Sequence, residues 1–145
     1  AHAVAIGVGK VSVDKINRIN ILQAARLAMV RAVTAIVPGP DFLLIDGPIK
    51  LDLDIPQRAI VRGDRLSLSV SAGAIVAKVT RDRIMADLHE QLPMYGFKRN
   101  QGYGTREHRE AIVKFGISSV HRIHFRGVKE HAQEILPLFN SELIR

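Results

Sequence analysis

Two acidic residues stand where a hydrolytic site could be built. Asp46 ends the apolar run Phe42 to Ile45, and a glycine follows it. Asp82 lies in "AKVTRDR", four residues after Lys78. Carboxylates are the oxygen ligands that Mg²⁺ and Mn²⁺ prefer, so a strand-end Asp46 and a helical Asp82 could share a metal ion. Alternatively, Asp82 and Lys78 form only a surface ion pair along one helix face.

The segment "GYGTREH" presents a second choice. Glycines flank Tyr103, so the backbone there could approach a ligand closely and leave the ring exposed. The ring could stack on a base or a sugar, or it could fill a gap in the core. Thr105 is predicted to cap the helix that follows, and the N–H groups of a helix start also suit a phosphate.

Other kinds of catalytic site find little support. The six histidines have no metal-ligand spacing, so we expect no zinc site. His108, His121 and His124 lie in a basic stretch, where we expect protonation only to add charge. The sequence contains neither a Gly-rich nucleotide loop followed by Lys-Ser/Thr nor a G-x-S-x-G motif.

The first half of the chain alternates strands and a helix. "AHAVAIGVGKVSV" is β-rich and predicts a strand. "SVDKINRINILQAARLAMVRAVTAI" predicts one long amphipathic helix, with Ser12 or Asp14 as its N-cap. "DFLLIDG" predicts a short strand buried on both faces of a sheet, and "QRAIVRGD" predicts a second strand.

The second half is predicted to be mainly helical. A helix starts after about Arg65, with Asp64 or Ser67 near its start, and runs through "LSLSVSAGAIVAKVTRDRIMADLHEQL". "PMYGFKRNQGYGT" contains too many glycines and polar residues to predict regular structure. A short helix capped by Thr105 ends at Gly116, and "KEHAQEILPLF" predicts a final helix. This order of elements is typical of an α/β protein.

Composition limits the cellular setting and the partners. The 145 residues predict a single domain, with 47% apolar and 24% charged residues, as in soluble globular proteins. The absence of cysteine, of a signal-peptide pattern and of a membrane-length apolar stretch predicts a cytoplasmic protein without a membrane partner. The net charge of +7 favours a polyanionic partner such as nucleic acid.

Several of these stretches, taken in order, resemble the ribonuclease HII family. "INRINILQAARLAM" is similar to the family's helix segment, and "LLIDG" is similar to the strand that carries its third catalytic acid. "AIVRGDRLSLSVSAGAIVAKVTRDR" is similar to its longest signature, which ends in the fourth acid. "YGFKRNQGYGTREH" and "HRIHF" follow at the expected places. The resemblance covers nearly the whole chain.

The resemblance implies a fold and an activity. The fold would be α/β and ribonuclease-H-like: a mixed sheet flanked by helices over about residues 1–95, and a helical C-terminal part over about 96–145. The activity would be endonucleolytic cleavage of the RNA strand of RNA–DNA hybrids, and cleavage 5′ to a ribonucleotide embedded in duplex DNA, by a monomer. Two Mn²⁺ or Mg²⁺ ions would serve as cofactors.

The resemblance also implies roles for individual residues. Asp46 and Asp82 would be catalytic metal ligands, and Tyr103 would contact the sugar at the ribo–deoxyribo junction. Asp64 is expected to be a helix cap instead of a ligand. Candidates for phosphate, substrate or structural contacts are Lys78, Arg81, Arg62, Thr105 and Arg122.

One family motif has no counterpart here. The family carries an Asp-Glu pair in a D-E-x-G-R-G motif near its start, whereas this sequence contains no Asp-Glu dipeptide. We therefore expect an incomplete chain that lacks N-terminal strands, offers only Asp46 and Asp82 of four acids, and is inactive alone. One alternative is a non-catalytic module that binds RNA–DNA hybrids or serves as a scaffold. Another is a basic α/β domain with no nucleic-acid role.

Overall fold

The structure, a computed structural model, describes residues 3–132. The α-helices are α1 (Val13–Thr34), α2 (Gly63–Leu66), α3 (Leu68–Gln91), α4 (Phe97–Asn100), α5 (Arg106–Phe115) and α6 (Lys129–Ala132). The strands are β1 (Leu43–Asp46) and β2 (Gln57–Ile60), and a 3₁₀ turn spans Pro93–Tyr95. The predicted final helix is therefore described only over α6, and its remainder lies outside the described residues. The chain separates into two compact units, with the first ending at Thr80 and the second beginning at Arg81.

Helix α1 begins at one of its two predicted caps but contains a break. The Ser12 hydroxyl accepts a hydrogen bond from the Lys15 N–H at 3.3 Å, as expected of an N-cap. Asn20 interrupts the helix with φ 65° and ψ 168°, and its Oδ1 accepts from the Gln23 N–H at 3.1 Å. The prediction of a single continuous helix is therefore wrong, because Asn20 leaves the helical conformation and caps a second helical segment.

The predicted N-terminal strand is not observed within residues 3–12. Instead, this segment packs against α1 through two glycines. A Cβ at Gly7 or Gly9 would overlap the carbonyl oxygen of Ala32 or Ala28, respectively. The Arg31 guanidinium also donates to the Lys10 carbonyl at 2.6 Å. Close packing on a helix backbone has thus replaced the sheet pairing that the β-rich composition predicted.

The two strands form a parallel pair in the first unit. Leu43 pairs with Gln57, and the register continues to Asp46 opposite Ile60. Leu43 and Ile45 are buried, but Leu44 is 42% exposed, so within the described residues the prediction of burial on both faces is wrong. The buried face joins a core whose other members are Leu51, Met29, Val30, Val33, Ile49, Leu53 and Ile55.

The side chain of Gln57 organises the loop between the strands. Its Oε1 accepts from the Leu51 N–H at 2.8 Å, and its Nε2 donates to the Leu51 carbonyl at 3.0 Å. The same amide lies 3.4 Å from the carbonyls of Leu53 and Ile55. The Gln57 amide therefore provides hydrogen-bond partners for backbone groups of a loop that is not part of the sheet.

The second unit has a core built from a segment that was predicted to be irregular. Tyr95 and Phe97 are buried there together with Ile112 and Val128. The glycines that argued against regular structure end short helical turns, as at Gly96, where φ is 65°. The prediction for "PMYGFKRNQGYGT" is therefore wrong over the 3₁₀ turn and α4.

Two histidines belong to this core. His108 and His121 are 5% and 4% exposed, and their rings stack with centroids 5.3 Å apart and an interplanar angle of 16°. His108 Nδ1 lies 3.0 Å from the Tyr95 carbonyl, and His121 Nδ1 accepts from the Ser118 N–H at 3.0 Å. Burial and the neighbouring His108 lower the pKa of His121 to about 4. For His121 the expectation that protonation would only add charge is wrong, because burial of its ring favours the neutral form.

Among residues 3–132, none of the helices combines the length and the apolar composition of a bilayer-spanning segment.

The lowered pKa of His121 predicts an acid-sensitive second unit. An unfolded histidine has a pKa of 6.5, so between about pH 6.5 and pH 4 the unfolded chain binds a proton that the folded chain does not. The free energy of unfolding should therefore fall as the pH drops through this range, by at most about 1.4 kcal/mol per pH unit for this group. Urea denaturation at a series of pH values measures the slope.

Two matched variants test the source of this pH dependence. His121→Asn keeps an acceptor for the Ser118 N–H but cannot titrate, so its pH dependence should be shallower than that of the unaltered chain. Ser119→Asn introduces an asparagine at an exposed residue that does not titrate and should keep the original slope. Equal slopes for the His121 variant and the unaltered chain would contradict the assignment.

Candidate functional site

Asp46 lies at the carboxyl end of β1, and its side chain is held by the start of α2. Its Oδ1 accepts a hydrogen bond from the Gly63 N–H at 2.7 Å. The Gly47 N–H donates to the Ile60 carbonyl at 2.9 Å, so the parallel pairing continues to the end of both strands. Asp46 is exposed, and its carboxylate is therefore both oriented by one donor and accessible to solvent.

The contact between Asp46 and Gly63 depends on an unusual turn. Arg62 has φ 58° and ψ 39°, a left-handed conformation that costs a non-glycine residue roughly 1 kcal/mol or more. A Cβ at Gly63 would lie 3.1 Å from Val70 Cγ1 and 3.4 Å from Asp46 Oδ1. A side chain at the position that donates to the carboxylate would therefore crowd both the carboxylate and Val70.

The acid that follows this glycine does not serve as the predicted cap. Asp64 lies in the first turn of α2, whereas the N-cap position belongs to Arg62 and has no side-chain hydrogen bond. Helix α2 ends at Leu66, and Ser67 separates it from α3 with an extended backbone. Asp64 can favour the helix only through its charge near the N-terminus.

Helix α3 carries the other candidate ligand. Asp82 is half-buried and Lys78 is exposed, four residues apart on this helix as the sequence predicted. Asp46 belongs to the first unit and Asp82 to the second, so their sharing of a metal ion stays a prediction. Among the described residues there is no group of three or more His, Cys, Asp or Glu that could hold a metal ion.

Tyr103 lies in a tight loop of the second unit with its ring directed outward. The ring is 63% exposed, which excludes the alternative that it fills a gap in the core. The Tyr103 N–H donates to the Asn100 carbonyl at 2.8 Å, and the Gly102 N–H donates to Asn100 Oδ1 at 2.9 Å. An exposed aromatic ring on an ordered backbone is a suitable surface for stacking on a base or a sugar.

Two guanidinium groups contact the same loop. Arg81 donates to the Gln101 carbonyl at 2.6 Å, and its Cζ lies 4.7 Å from the centre of the Tyr103 ring. Arg122 donates to the Gly102 carbonyl at 3.4 Å and lies over the Phe125 ring at 3.7 Å. Burial lowers the pKa of Arg122, the nearby charge of Arg81 lowers it further, and Tyr103 raises it.

Thr105 is the N-cap of α5, as predicted. Its hydroxyl accepts from the His108 N–H at 3.3 Å, and its own N–H donates to the Tyr103 carbonyl at 2.8 Å. Gly116 follows the end of the helix with φ 77°. Thr105 therefore joins α5 to the loop that carries Tyr103, while its contact with a substrate stays a prediction.

Two residues of these sites were missed in the sequence. Gly63 is not among the candidates that the sequence indicates, although its N–H is the donor that orients Asp46. Asn100 was taken as part of an irregular loop, yet it is 7% exposed and its Nδ2 donates to the Tyr95 carbonyl at 2.7 Å. Only for Gly63 did a signal exist, since a glycine within a predicted strand such as "QRAIVRGD" suggests a close backbone approach.

The close approach at Gly63 predicts a selective loss of stability. Gly63→Ala should lower the free energy of unfolding by about 1–3 kcal/mol, because the methyl group would crowd Val70, Ile60 and Asp46. Gly73→Ala is the matched control on α3, where a Cβ meets no atom within 4 Å, and should be neutral or stabilising by up to about 1 kcal/mol. Thermal denaturation compares the two. Equal effects of both substitutions would show that Gly63 is not sterically restricted.

Comparison with known proteins identifies the same family as the sequence motifs do. A family model described as Ribonuclease HII matches residues 1–128. A ribonuclease HII of Bacillus velezensis is 53% identical over 130 residues, which is 90% of this chain and 51% of that protein. A ribonuclease HII of Desulfotalea psychrophila is 52% identical over 129 residues, covering 87% of this chain and 57% of that protein.

A third relative extends the match. The ribonuclease HII of Syntrophus aciditrophicus is 48% identical over 140 residues, which is 95% of this chain and 66% of that protein. The chain thus spans from about half to about two thirds of the length of these curated relatives. The match of the family model and these identities together show that the chain belongs to the ribonuclease HII family.

Proposed function

We propose that this chain is part of an endonuclease that cleaves the RNA strand of RNA–DNA hybrids and cuts 5′ to ribonucleotides embedded in duplex DNA. The observation that carries the proposal is the family match over residues 1–128. The net charge of +7 supports a polyanionic substrate. The exposed Tyr103 ring supports contact with a sugar or a base.

Asp46 and Asp82 are the residues that would hold divalent ions. The exposed Asp46 carboxylate suits an oxygen-preferring ion such as Mg²⁺ or Mn²⁺ because a single N–H already orients it at the strand end. When bound, a pair of such ions supplies activation of water and stabilisation of the leaving oxygen. The two carboxylates offer fewer ligands than two octahedral ions require, so further acids must complete the set.

The remaining residues would bind and orient the nucleic acid. Tyr103 would stack at the ribo–deoxyribo junction, with its ring held outward by its backbone contacts to Asn100. Arg62 and Lys78 are exposed cations that would contact phosphates.

A non-catalytic hybrid-binding module is the second candidate. The observation that favours it is the absence of an Asp-Glu dipeptide from the 145 residues, since the D-E-x-G-R-G motif of the family contains that pair. Under this alternative, Tyr103 and the basic surface would bind the duplex without hydrolysis. Cleavage assays with a completed acidic site separate the two candidates.

Cleavage should require acids beyond those of residues 1–145. These residues, assayed alone on a duplex with one embedded ribonucleotide and Mn²⁺ or Mg²⁺, should give no product. Fusion to the N-terminal segment of the Bacillus velezensis relative, which is 53% identical over the shared part, should give cleavage 5′ to the ribonucleotide. Gel analysis of the labelled strand measures both.

Two substitutions in the fusion protein localise the chemistry. Asp46→Asn keeps an oxygen for the Gly63 N–H but removes the charge, so we expect a loss of at least about 100-fold in the cleavage rate. Asp52→Asn makes the same change at an exposed acid of the first unit and should leave the rate unchanged. Cleavage by residues 1–145 alone would refute the requirement for further acids. An inactive fusion that still binds the hybrid would favour the non-catalytic module.

A further inference from the structure

Successive carbonyls of the loop before Tyr103 accept hydrogen bonds from two different guanidinium groups. Arg81 binds the Gln101 carbonyl at 2.6 Å, and Arg122 binds the Gly102 carbonyl at 3.4 Å. Arg81 comes from α3, whereas Arg122 lies about twenty residues beyond the loop. The loop is therefore attached at adjacent peptide units to two separate parts of the second unit.

The backbone of this loop needs such support. Gln101 has φ 51° and Gly102 has φ 70°, so two consecutive residues adopt the left-handed conformation. A non-glycine residue in that region persists only when its surroundings hold it there. Asn100, which is buried, supplies one such contact through its Oδ1 to the Gly102 N–H, and the two arginines supply the others.

The guanidinium of Arg81 also reaches the functional side chain itself. Its Cζ lies 4.7 Å from the centre of the Tyr103 ring, close enough for a cation–π contact. Arg122 is fixed in its turn by the Phe125 ring, whose centre lies 3.7 Å from its Cζ. The planar guanidinium can donate to a carbonyl and stack on a ring at the same time, which a lysine cannot reproduce.

We infer that Arg81 and Arg122 are positioning residues that hold the loop of residues 101–104 so that the Tyr103 ring is presented to the substrate. They act through Tyr103 and not as phosphate ligands. The inference rests on the proposed function only for the identity of the substrate, because the loop contacts belong to the protein alone. For Arg81 and Arg122, the sequence left phosphate, substrate and structural contacts as possible roles. The inference assigns the structural role to both.

The first test measures the loop without any nucleic acid. Arg81→Met should increase the motion of the Gly102 amide, lowering its NMR order parameter from about 0.85 to below about 0.6. Arg83→Met removes an equal charge from an exposed position of the same helix and should leave Gly102 ordered. An unchanged order parameter in Arg81→Met would overturn the inference.

The second test is a double-mutant cycle on binding of a labelled RNA–DNA hybrid, followed by fluorescence anisotropy. Arg81→Met should weaken binding about tenfold in the unaltered chain and less than about twofold in a Tyr103→Ala background. The slope of log affinity against log salt should not change, because no phosphate contact is lost. An equal loss in both backgrounds, with a slope reduced by about one, would show a phosphate ligand and overturn the inference.

A conservative variant provides a second test in case Arg81→Met does not fold. Arg81→Lys keeps the charge but not the planar fork, so it should increase the motion of Gly102 while retaining the salt slope. A lysine that leaves Gly102 fully ordered would contradict the inference. If the unaltered chain binds no hybrid, the proposed function fails, and the order parameters of Gly102 still decide the positioning role.

Discussion

The hydrogen bond between the Gly63 N–H and the Asp46 carboxylate is the contact on which the site in the first unit depends. It joins the carboxyl end of β1 to the first residue of α2 across 2.7 Å. Arg62 directly before this contact adopts a left-handed backbone, and a side chain at Gly63 would crowd Val70 of α3. A short parallel strand pair thus places one carboxylate at its carboxyl edge, where ligands of α/β proteins commonly bind.

In the second unit, the candidate site depends on a core that contains polar aromatic rings. Its core includes the stacked His108 and His121 rings and the Tyr95 ring, whose hydroxyl donates to the Gly116 carbonyl at 2.9 Å. The Tyr95 hydroxyl and the Nδ1 atom of each histidine contact backbone groups, whereas His121 Nε2 is buried without a hydrogen-bond partner. From this core emerges the loop that exposes Tyr103. Because hydrogen bonds hold the backbone of Gly102 and Tyr103, the Tyr103 ring projects from an ordered loop.

Local signals in the sequence predicted the elements that depend on local chemistry. The end of β1 at Asp46, the cap at Thr105 and the stop at Gly116 each follow from one or two adjacent residues. The break at Asn20 was not predictable, because a single asparagine between Ile19 and Ile21 is compatible with an unbroken amphipathic helix. A continuous helix has the same pattern.

The other differences between the predictions and the structure arise from contacts between residues that are distant in the sequence. The β-rich N-terminal residues pack on α1 because Gly7 and Gly9 allow it, and no local pattern reveals the partner. The stacking of His108 on His121 joins residues thirteen positions apart, so their burial could not be read from a basic stretch. The role of Gly63 depends on Asp46, seventeen residues earlier in the chain.

Hydrogen exchange at the Gly63 amide tests most directly whether Asp46 organises this site. In the unaltered chain and in Asp46→Asn, whose side-chain oxygen still accepts, the amide should be protected. In Asp46→Ala it should exchange roughly 10–100 times faster, the factor expected for losing a hydrogen bond to a charged or polar group. The Gly47 amide, bonded to the Ile60 carbonyl at 2.9 Å, provides the internal reference and should stay protected in all three proteins. Equal exchange of the Gly63 amide in all three would contradict the account.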